Sequence, residues 1–382
     1  MSRIRAGRPR FGWRDGNSVE LFVDGEHFFP EMIYAIQSAQ QSVMLEMYLC
    51  SSGIVMNRFI AALAEAVGRG VKVFLLLDHY GARGLVSEDR QRLKDAGIQL
   101  GFYNPVAFSK WSRNFARDHR KLLVVDRRCA FIGGAGLTDD YAIDQPRKPE
   151  TPWHELMCRV EGPVVHDMAV LFRHLWWRVT AEHIGLGPEL SPQSGIGAAQ
   201  VRLLSTAGLA NQSIKISTLK CTARAKERVW ICTAYFLPSF SLRRSLRRAA
   251  RQGLDVRLLV AGPLTDHRWI YYASKRFYRR LLNAGVRIYE YQPRMLHAKV
   301  ALFDERVSVG SCNLDHWNLR WNLEANIEVC EPGFTREVEQ LFETDFGDSV
   351  EVDAVEWEKR PWYRKVRETV WALICQWILR IR

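Results

Sequence analysis

Two stretches of this chain place a histidine, a lysine and an aspartate at the same intervals: His119-Arg-Lys121-Leu-Leu-Val-Val-Asp126 and His297-Ala-Lys299-Val-Ala-Leu-Phe-Asp304. One such pattern is a weak signal, because short motifs match by chance. Two, each followed by a glycine-rich turn, make a duplicated site. In a strand, positions i and i+2 share a face, so each histidine projects with its lysine. Brought together about a pseudo-twofold axis, the copies would supply two imidazoles and two ammonium groups to one small volume, which suits a phosphodiester. One neutral histidine attacks phosphorus while the other, protonated, gives a proton to the leaving alkoxide; the roles then reverse for a second alcohol or water. The lysines act as charge clamps on the non-bridging oxygens, worth roughly 10²- to 10³-fold in rate in a dry site. This chemistry requires neither a metal nor a cofactor.

Other residues are candidates to complete the centre. After the second octapeptide comes Gly310-Ser311-Cys312-Asn313, whose hydroxyl, amide and backbone N–H groups can hold phosphate oxygens or fix the histidine–lysine geometry. Its counterpart is Gly133-Gly134-Ala135-Gly136, with Gly134 in the place of Ser311. A histidine that presents one ring nitrogen to phosphorus needs its other N–H held, and Glu155 and Glu324, in matched places downstream of the two octapeptides, are the candidates. Asp126 and Asp304 differ in parity from their histidines, so an ideal strand turns them away from the catalytic face, and they are expected to anchor structure. Asp78 ends an apolar run and is expected to cap the next turn; Cys312 reads as a small buried thiol.

The elements that carry these residues repeat as well. A helical stretch, Phe29 to Ala39, leads into the apolar run Ser42 to Tyr48, then an alanine-rich helix and Val71 to Asp78. The later half repeats this with Val229 to Tyr235, a helix over Leu242 to Arg251, and Leu254 to Val260. Gly70 and Gly253 end corresponding helices, as do Gly97 and Gly285. The Gly/Pro/Ser-rich stretch Leu186 to Gly197 reads as an exposed connection. The expected fold is therefore α/β: two tandem pseudo-symmetric domains, 1–190 and 191–348, each with a mixed, largely parallel sheet flanked by helices, and one active site between them, followed by a C-terminal amphipathic segment, 349–382. A chain of 382 residues has room for two buried cores.

The formal charge is +12, from 54 basic and 42 acidic residues, which suits a polyanionic partner, either nucleic acid or anionic lipid headgroups. The eight cysteines are scattered without a C-x-x-C pair, the pattern of free thiols in a reducing compartment. The basic first residues lack the apolar stretch of a secretory signal or spanning helix, so a cytosolic protein is expected. Near the C-terminus, Val366, Val370, Leu373, Trp377 and Ile381 recur at helical spacing. The apolar run Val370 to Leu379 is well short of the ~20 residues that cross a bilayer, while its tryptophans and flanking arginines suit the headgroup boundary. Packing of that stripe on the protein itself is the competing reading.

The paired motifs resemble those of the phospholipase D superfamily, whose members carry two H-x-K-x4-D motifs, each followed by a GS- or GG-type turn. The likeness runs from residue 17 to about 345 and sets His119, Lys121, Asp126, His297, Lys299 and Asp304 on the family pattern, with Ser311 and Asn313 on its GSxN element. Within the superfamily the chain is most similar to the short bacterial cardiolipin synthases without N-terminal membrane helices, on Gly16-Asn-Ser-Val-Glu-Leu, Ala130-Phe-Ile-Gly-Gly, Val160-Glu-Gly-Pro163 and Ser311-Cys-Asn-Leu-Asp315. It departs in having Gly136 where asparagine is usual, and in a second-motif turn, Glu305 to Val309, one residue shorter than the first. The resemblance implies metal-independent catalysis through a phosphohistidine, with His119 as attacker and His297 as acid. The expected activity is phosphatidyl transfer from donors such as phosphatidylglycerol to give cardiolipin, at the cytoplasmic face of the cell membrane, with phospholipids and an anionic membrane surface as partners. Phospholipase D hydrolysis, a metal-independent nuclease and a non-catalytic basic binding protein are the alternatives; two motifs in one chain and an apolar terminus disfavour nucleic acid.

Overall fold

The computed structural model describes residues 10–142, 151–185, 195–207, 211–315 and 321–381. Of the expected connection between the halves, residues 186–194 lie outside the described residues. In the first half the elements are β1 (Trp13–Val23), α1 (Gly25–Gln37), β2 (Ser42–Met47), α2 (Ile54–Gly68), β3 (Lys72–Asp78), α3 (Ser87–Asp95), β4 (Gln99–Tyr103), β5 (Lys121–Val125), β6 (Cys129–Gly133), β7 (Leu156–Glu161) and α4 (Val164–Thr180). The second half has β8 (Ala199–Ala207), α5 (Ser213–Arg224), β9 (Arg228–Thr233), α6 (Phe240–Arg251), β10 (Asp255–Ala261), α7 (Arg268–Lys275) and α8 (Tyr278–Leu282). It continues through β11 (Arg287–Tyr291), β12 (Val300–Phe303), β13 (Arg306–Gly310), β14 (Leu323–Cys330) and α9 (Pro332–Gly347), and closes with β15 (Ser349–Glu351), α10 (Ala354–Lys359) and α11 (Trp362–Ile381).

The described strands form one sheet, in the order β15-β11-β10-β9-β12-β13-β14-β8-β1-β7-β6-β5-β2-β3-β4. Reading outward from the central β8–β1 pair, each half repeats the other, so the duplication seen in sequence is a duplication of topology. β2, β3 and β4 run parallel, as do β9, β10 and β11; the remaining neighbours are antiparallel. The sheet is mixed, but the expectation of a largely parallel one is corrected. Parallel strands need a crossover of a dozen or more residues, whereas β5 and β6 are joined through Asp126 to Arg128, and β12 and β13 through Asp304 and Glu305. The helices end where the glycines require: Gly70, Gly97, Gly253 and Gly285 all have φ between 81° and 90°.

The outer sheet faces have separate apolar cores, one centred on Phe59 and Leu75 and one on Leu246 and Leu258. The other face is covered by a core continuous across both halves, joining Phe172 and Trp176 of α4 to Phe342 and Phe346 of α9. Each half thus has a core of its own, but a shared apolar layer also ties them together. Buried Val, Ile and Leu fill β2, β3, β5 and their counterparts, which places the two motif segments on rigid supports.

Candidate functional site

Both histidines lie just ahead of their strands, in extended segments pinned to the opposite half. His119 N–H donates to Leu323 O (2.9 Å) and Leu323 N–H to Arg117 O (2.8 Å); by the same pattern His297 N–H donates to His154 O (2.8 Å) and His154 N–H to Met295 O (2.8 Å). These inter-half bridges, rather than a regular strand through the histidines, set the i, i+2 relation with Lys121 and Lys299. They also bring each histidine to the residue preceding the other half's glutamate.

The carboxylates are therefore exchanged. His119 Nδ1 lies 3.0 Å from Glu324, and His297 Nδ1 lies 2.5 Å from Glu155. Lys299 Nζ donates to the same Glu155 carboxylate at 3.0 Å, and Lys121 Nζ donates to His119 O at 2.7 Å. Both glutamates are fully buried. The charges of Lys299 and Glu155 act on His119 and on Lys121, which sets the two histidine–lysine pairs in one electrostatic pocket.

Burial governs protonation here. It pushes His119 well below the ordinary imidazole range, with Lys121 and Lys299 adding to the effect, and brings His297 to about 4, with Lys299 as the next cause. Lys121 falls to about 7, chiefly through burial and against the pull of Glu324; Lys299 is lowered in the same direction. The two carboxylates diverge. Burial carries Glu324 up to about 8, whereas for Glu155 burial is outweighed by Lys299 and His297, and its acidity is increased. At neutral pH the resting site thus holds two neutral imidazoles, one of them beside an ionised carboxylate.

Ser311 donates its hydroxyl to Glu324 at 2.6 Å and accepts from Ala325 N–H at 3.1 Å, so that hydroxyl braces the glutamate. Gly134 plays the matching part by omission: a Cβ there would overlap the Glu155 carboxylate. Asn313 is buried with its Oδ1 3.4 Å from Thr233 Oγ1, while its Nδ2 has no partner among the described residues. The glycine at the corresponding position, Gly136, has a simple cause, since a Cβ would sit 2.7 Å from Leu49 O.

Asp126 and Asp304 sit at the far ends of β5 and β12, away from the imidazoles. Asp126 accepts from the N–H groups of Gln40, Gln41 and Ser42 at 2.7–2.8 Å, and Asp304 from those of Lys226, Glu227 and Arg228 at 2.9–3.0 Å. Each adopts a positive φ, near 50°, and ties the entrance of β2 or β9 to the motif strand. Asp78 caps its turn through Tyr80 and Gly81 N–H, as expected, and also accepts from Asp118 N–H (2.9 Å) and pairs with Arg117 (3.3 Å).

Aromatic walls complete the pocket. Tyr48 lies 4.8 Å from the His119 ring, and Tyr141, Trp153 and Tyr235 lie 5.8, 5.2 and 6.3 Å from that of His297. Tyr141 also places its hydroxyl 3.2 Å from His297 Nδ1. Tyr48 and Tyr235 close the duplicated apolar runs Ser42–Tyr48 and Val229–Tyr235, so the repeat itself held the signal for them. Nothing in local sequence marked Tyr141 or Trp153.

At the C-terminus α11 packs one face on α7: Trp371 meets Ala273 and Leu237, Arg367 lies over Tyr272 at 4.1 Å, and Glu368 is bridged by Arg360 at 2.6 Å. Val366, Val370 and Leu373 face outward and are about half exposed, at 48–51%. The helix is therefore docked on the protein by one face and open on the other; Trp377 and Ile381 lie outside the described side chains. Among the described residues no helix is long and apolar enough to cross a membrane.

A duplicated α/β fold with one His–Lys motif per half, meeting in a single pocket, defines a protein of the phospholipase D superfamily. The chain matches the family described as "Cardiolipin synthase, PLD-like domain" over residues 32–176 and 219–346, and belongs to it. It is 33% identical to cardiolipin synthase A of Pseudomonas aeruginosa over 340 residues, covering 88% of this chain and 68% of that one. It is likewise 33% identical to cardiolipin synthase B of Salmonella typhi over 373 residues, or 94% and 88% of the two chains. The phosphatidylserine synthase of Haemophilus influenzae shares the fold, with a TM-score of 0.68 at 15% identity over 95% of this chain and 93% of that one. So does the polyphosphate kinase of Porphyromonas gingivalis, with a TM-score of 0.62 at 15% identity, covering 88% and 49%.

Proposed function

We propose that this chain is a phosphatidyltransferase that makes cardiolipin from phospholipid donors such as phosphatidylglycerol, working as a peripheral protein on the anionic cytoplasmic surface of the membrane. The observation that carries this reading is the exchange of carboxylates, in which each half's glutamate orients the other half's catalytic imidazole. Neither half is complete alone. In the first step His119 Nε2 attacks the donor's phosphorus, the P–O bond to the departing glycerol breaks, and His297 delivers its proton to that oxygen. In the second, His297 takes the proton from the hydroxyl of a second phosphatidylglycerol, whose oxygen attacks the phosphohistidine and releases His119.

The assignment of roles is supported by the split between the glutamates. Ionised Glu155 stabilises an imidazolium at His297, so His297 is suited to hold a proton, and the phosphate's negative charge on binding offsets Lys299 and allows it to take one. Glu324, pushed up to about 8 by burial, is largely protonated at neutral pH, so it holds Nδ1–H of His119 by a hydrogen bond, without taking the proton, and leaves the attacking imidazole neutral. Lys121, Lys299 and the Asn313 amide then bind the non-bridging oxygens. The names of the curated relatives point the same way. The test is to incubate purified protein with phosphatidylglycerol vesicles: cardiolipin and glycerol in equal amounts are expected, while phosphatidic acid without cardiolipin would make the protein a hydrolase.

A further inference from the structure

Two exposed apolar elements flank the catalytic pocket, one built by each half. The first is the segment between β4 and His119. Trp111 at its tip is 85% exposed and holds φ 39°, a backbone conformation that a bulky residue seldom adopts. The base of this segment is laced shut. Asn104 donates to Ala116 O (2.8 Å), Ala107 and Asn114 exchange two hydrogen bonds (3.1 and 2.8 Å), and Arg117 donates to Asn104 O (3.1 Å) and Asn114 O (2.6 Å) while pairing with buried Asp78. A loop ordered this firmly two residues from His119, yet turning an indole into water, is built to present that indole. Val106 on the same segment and Tyr80 beside it are about half exposed.

The second element is the outward stripe of α11, with Val366, Val370 and Leu373. It is linked to the side of the other histidine through α7, on which α11 packs: α7 follows directly from His267, whose ring lies 5.6 Å from Tyr235, which in turn lies 6.3 Å from His297. Leu264 and Trp269, also exposed, belong to this side. Four of these apolar groups have a cation next to them in the chain or over the ring: Lys110 by Trp111, Arg83 at 4.0 Å from the Tyr80 ring, Arg268 by Trp269, and Arg367 by Val366. Aromatic and aliphatic groups interleaved with cations match a headgroup boundary carrying negative charge.

We propose that the protein seats its catalytic mouth on an anionic bilayer through these two contacts, the Trp111 loop beside His119 and the outer face of α11 on the side of His297, so that the pocket opens onto lipid between them. The inference rests on the reading that the substrate is a membrane phospholipid. Two separated contacts fix the tilt of the cleft as well as its height, which one amphipathic helix alone does not.

The test is flotation of the full chain with phosphatidylcholine vesicles, with and without phosphatidylglycerol, for the native protein, Trp111→Ala, Trp111→Phe and the triple change Val366→Ser, Val370→Ser, Leu373→Ser. Trp111→Ala and the triple variant should each lower association with the anionic vesicles by about tenfold, and Trp111→Phe should retain most of it. Both should keep activity on detergent-dispersed phosphatidylglycerol within about twofold. Hydrogen exchange of the native protein supplies a readout independent of folding in the variants: 104–115 and 362–381 should both gain protection on vesicles. Native-like flotation of either variant, or protection of neither segment, overturns the proposal. A shift from dimer to monomer without loss of flotation assigns the surface to a second copy of the chain and overturns it too. If no cardiolipin forms in vesicles or detergent while flotation behaves as described, the transferase reading fails and the docking surface stands.

Discussion

Glu324 lies 3.0 Å from Nδ1 of His119 although the two residues are 205 positions apart and come from opposite halves of the chain. The reciprocal pair, Glu155 and His297, spans 142 positions. This crossing ties the two halves together around the paired histidines, and it separates the two glutamates in consequence. Removing the Glu324 carboxylate (Glu324→Gln) should lower kcat by about 10- to 100-fold with KM little changed, because His119 loses its orienting partner. Glu155→Gln should cost more in kcat and also raise KM, since Glu155 holds Lys299 as well as His297. Steady-state kinetics on detergent-dispersed phosphatidylglycerol separate the two outcomes.

Burial brings Lys121 down to about 7, so its positive charge disappears as pH rises through that value. Substrate binding should weaken accordingly on the alkaline side, with KM rising above about pH 7. Arginine stays protonated throughout, so Lys121→Arg should flatten that limb even where its kcat is reduced. KM profiles from pH 6 to 9 for the two proteins check this.

His154 is buried between Asp24 (2.9 Å) and Asp345 (3.2 Å), one carboxylate from each half. Burial opposes its charge, but the two carboxylates prevail and raise it to about 9. Its folded pKa is above the unfolded one, so the stabilisation is complete below about pH 6.5 and is lost as pH rises through about 9. His154→Leu leaves buried acids facing each other across the halves and should cost about 3–5 kcal/mol at pH 6.5, with a smaller loss at pH 9.5. Thermal melts of both proteins at the two pH values measure the difference.

Asp304 binds three backbone N–H groups and touches no catalytic group. Asp304→Ala should therefore destabilise the protein by roughly 2–4 kcal/mol while the folded fraction keeps kcat within a few-fold. Melting temperature and kcat at low temperature distinguish this from a catalytic role, which would reverse the pattern.

The repeat was legible because it is written in local features: the motif spacing, the positive-φ glycines that end helices, the apolar runs of β2 and β9. The parity of Asp126 and Asp304 likewise foretold that they would face away from the imidazoles. Strand direction is less legible, because alternation of helix and strand suggests parallel neighbours, while the short turns at Asp126 and Asp304, which force antiparallel ones, coincide with the ends of the motifs. Glu155 and Glu324 were visible as candidates, but not their exchange between halves, which depends on inter-half bridges such as His119 to Leu323 that no local pattern encodes. Of the two roles the sequence allows Ser311, the hydroxyl takes the one that fixes the histidine geometry: it meets Glu324, a residue placed beside it only by the β13–β14 pairing.

The central claim is that His119 bonds phosphorus while His297 handles the proton. A phosphodiester with a p-nitrophenol leaving group needs no general acid to expel it, so His297→Ala should still react with that compound and stop at the covalent stage. Rapid-quench peptide mapping with a labelled phosphatidyl group should then find about one equivalent of label per chain on His119, and none in His119→Ala. Label on His297 in the His119→Ala protein, or no label on either histidine during turnover, would contradict the account.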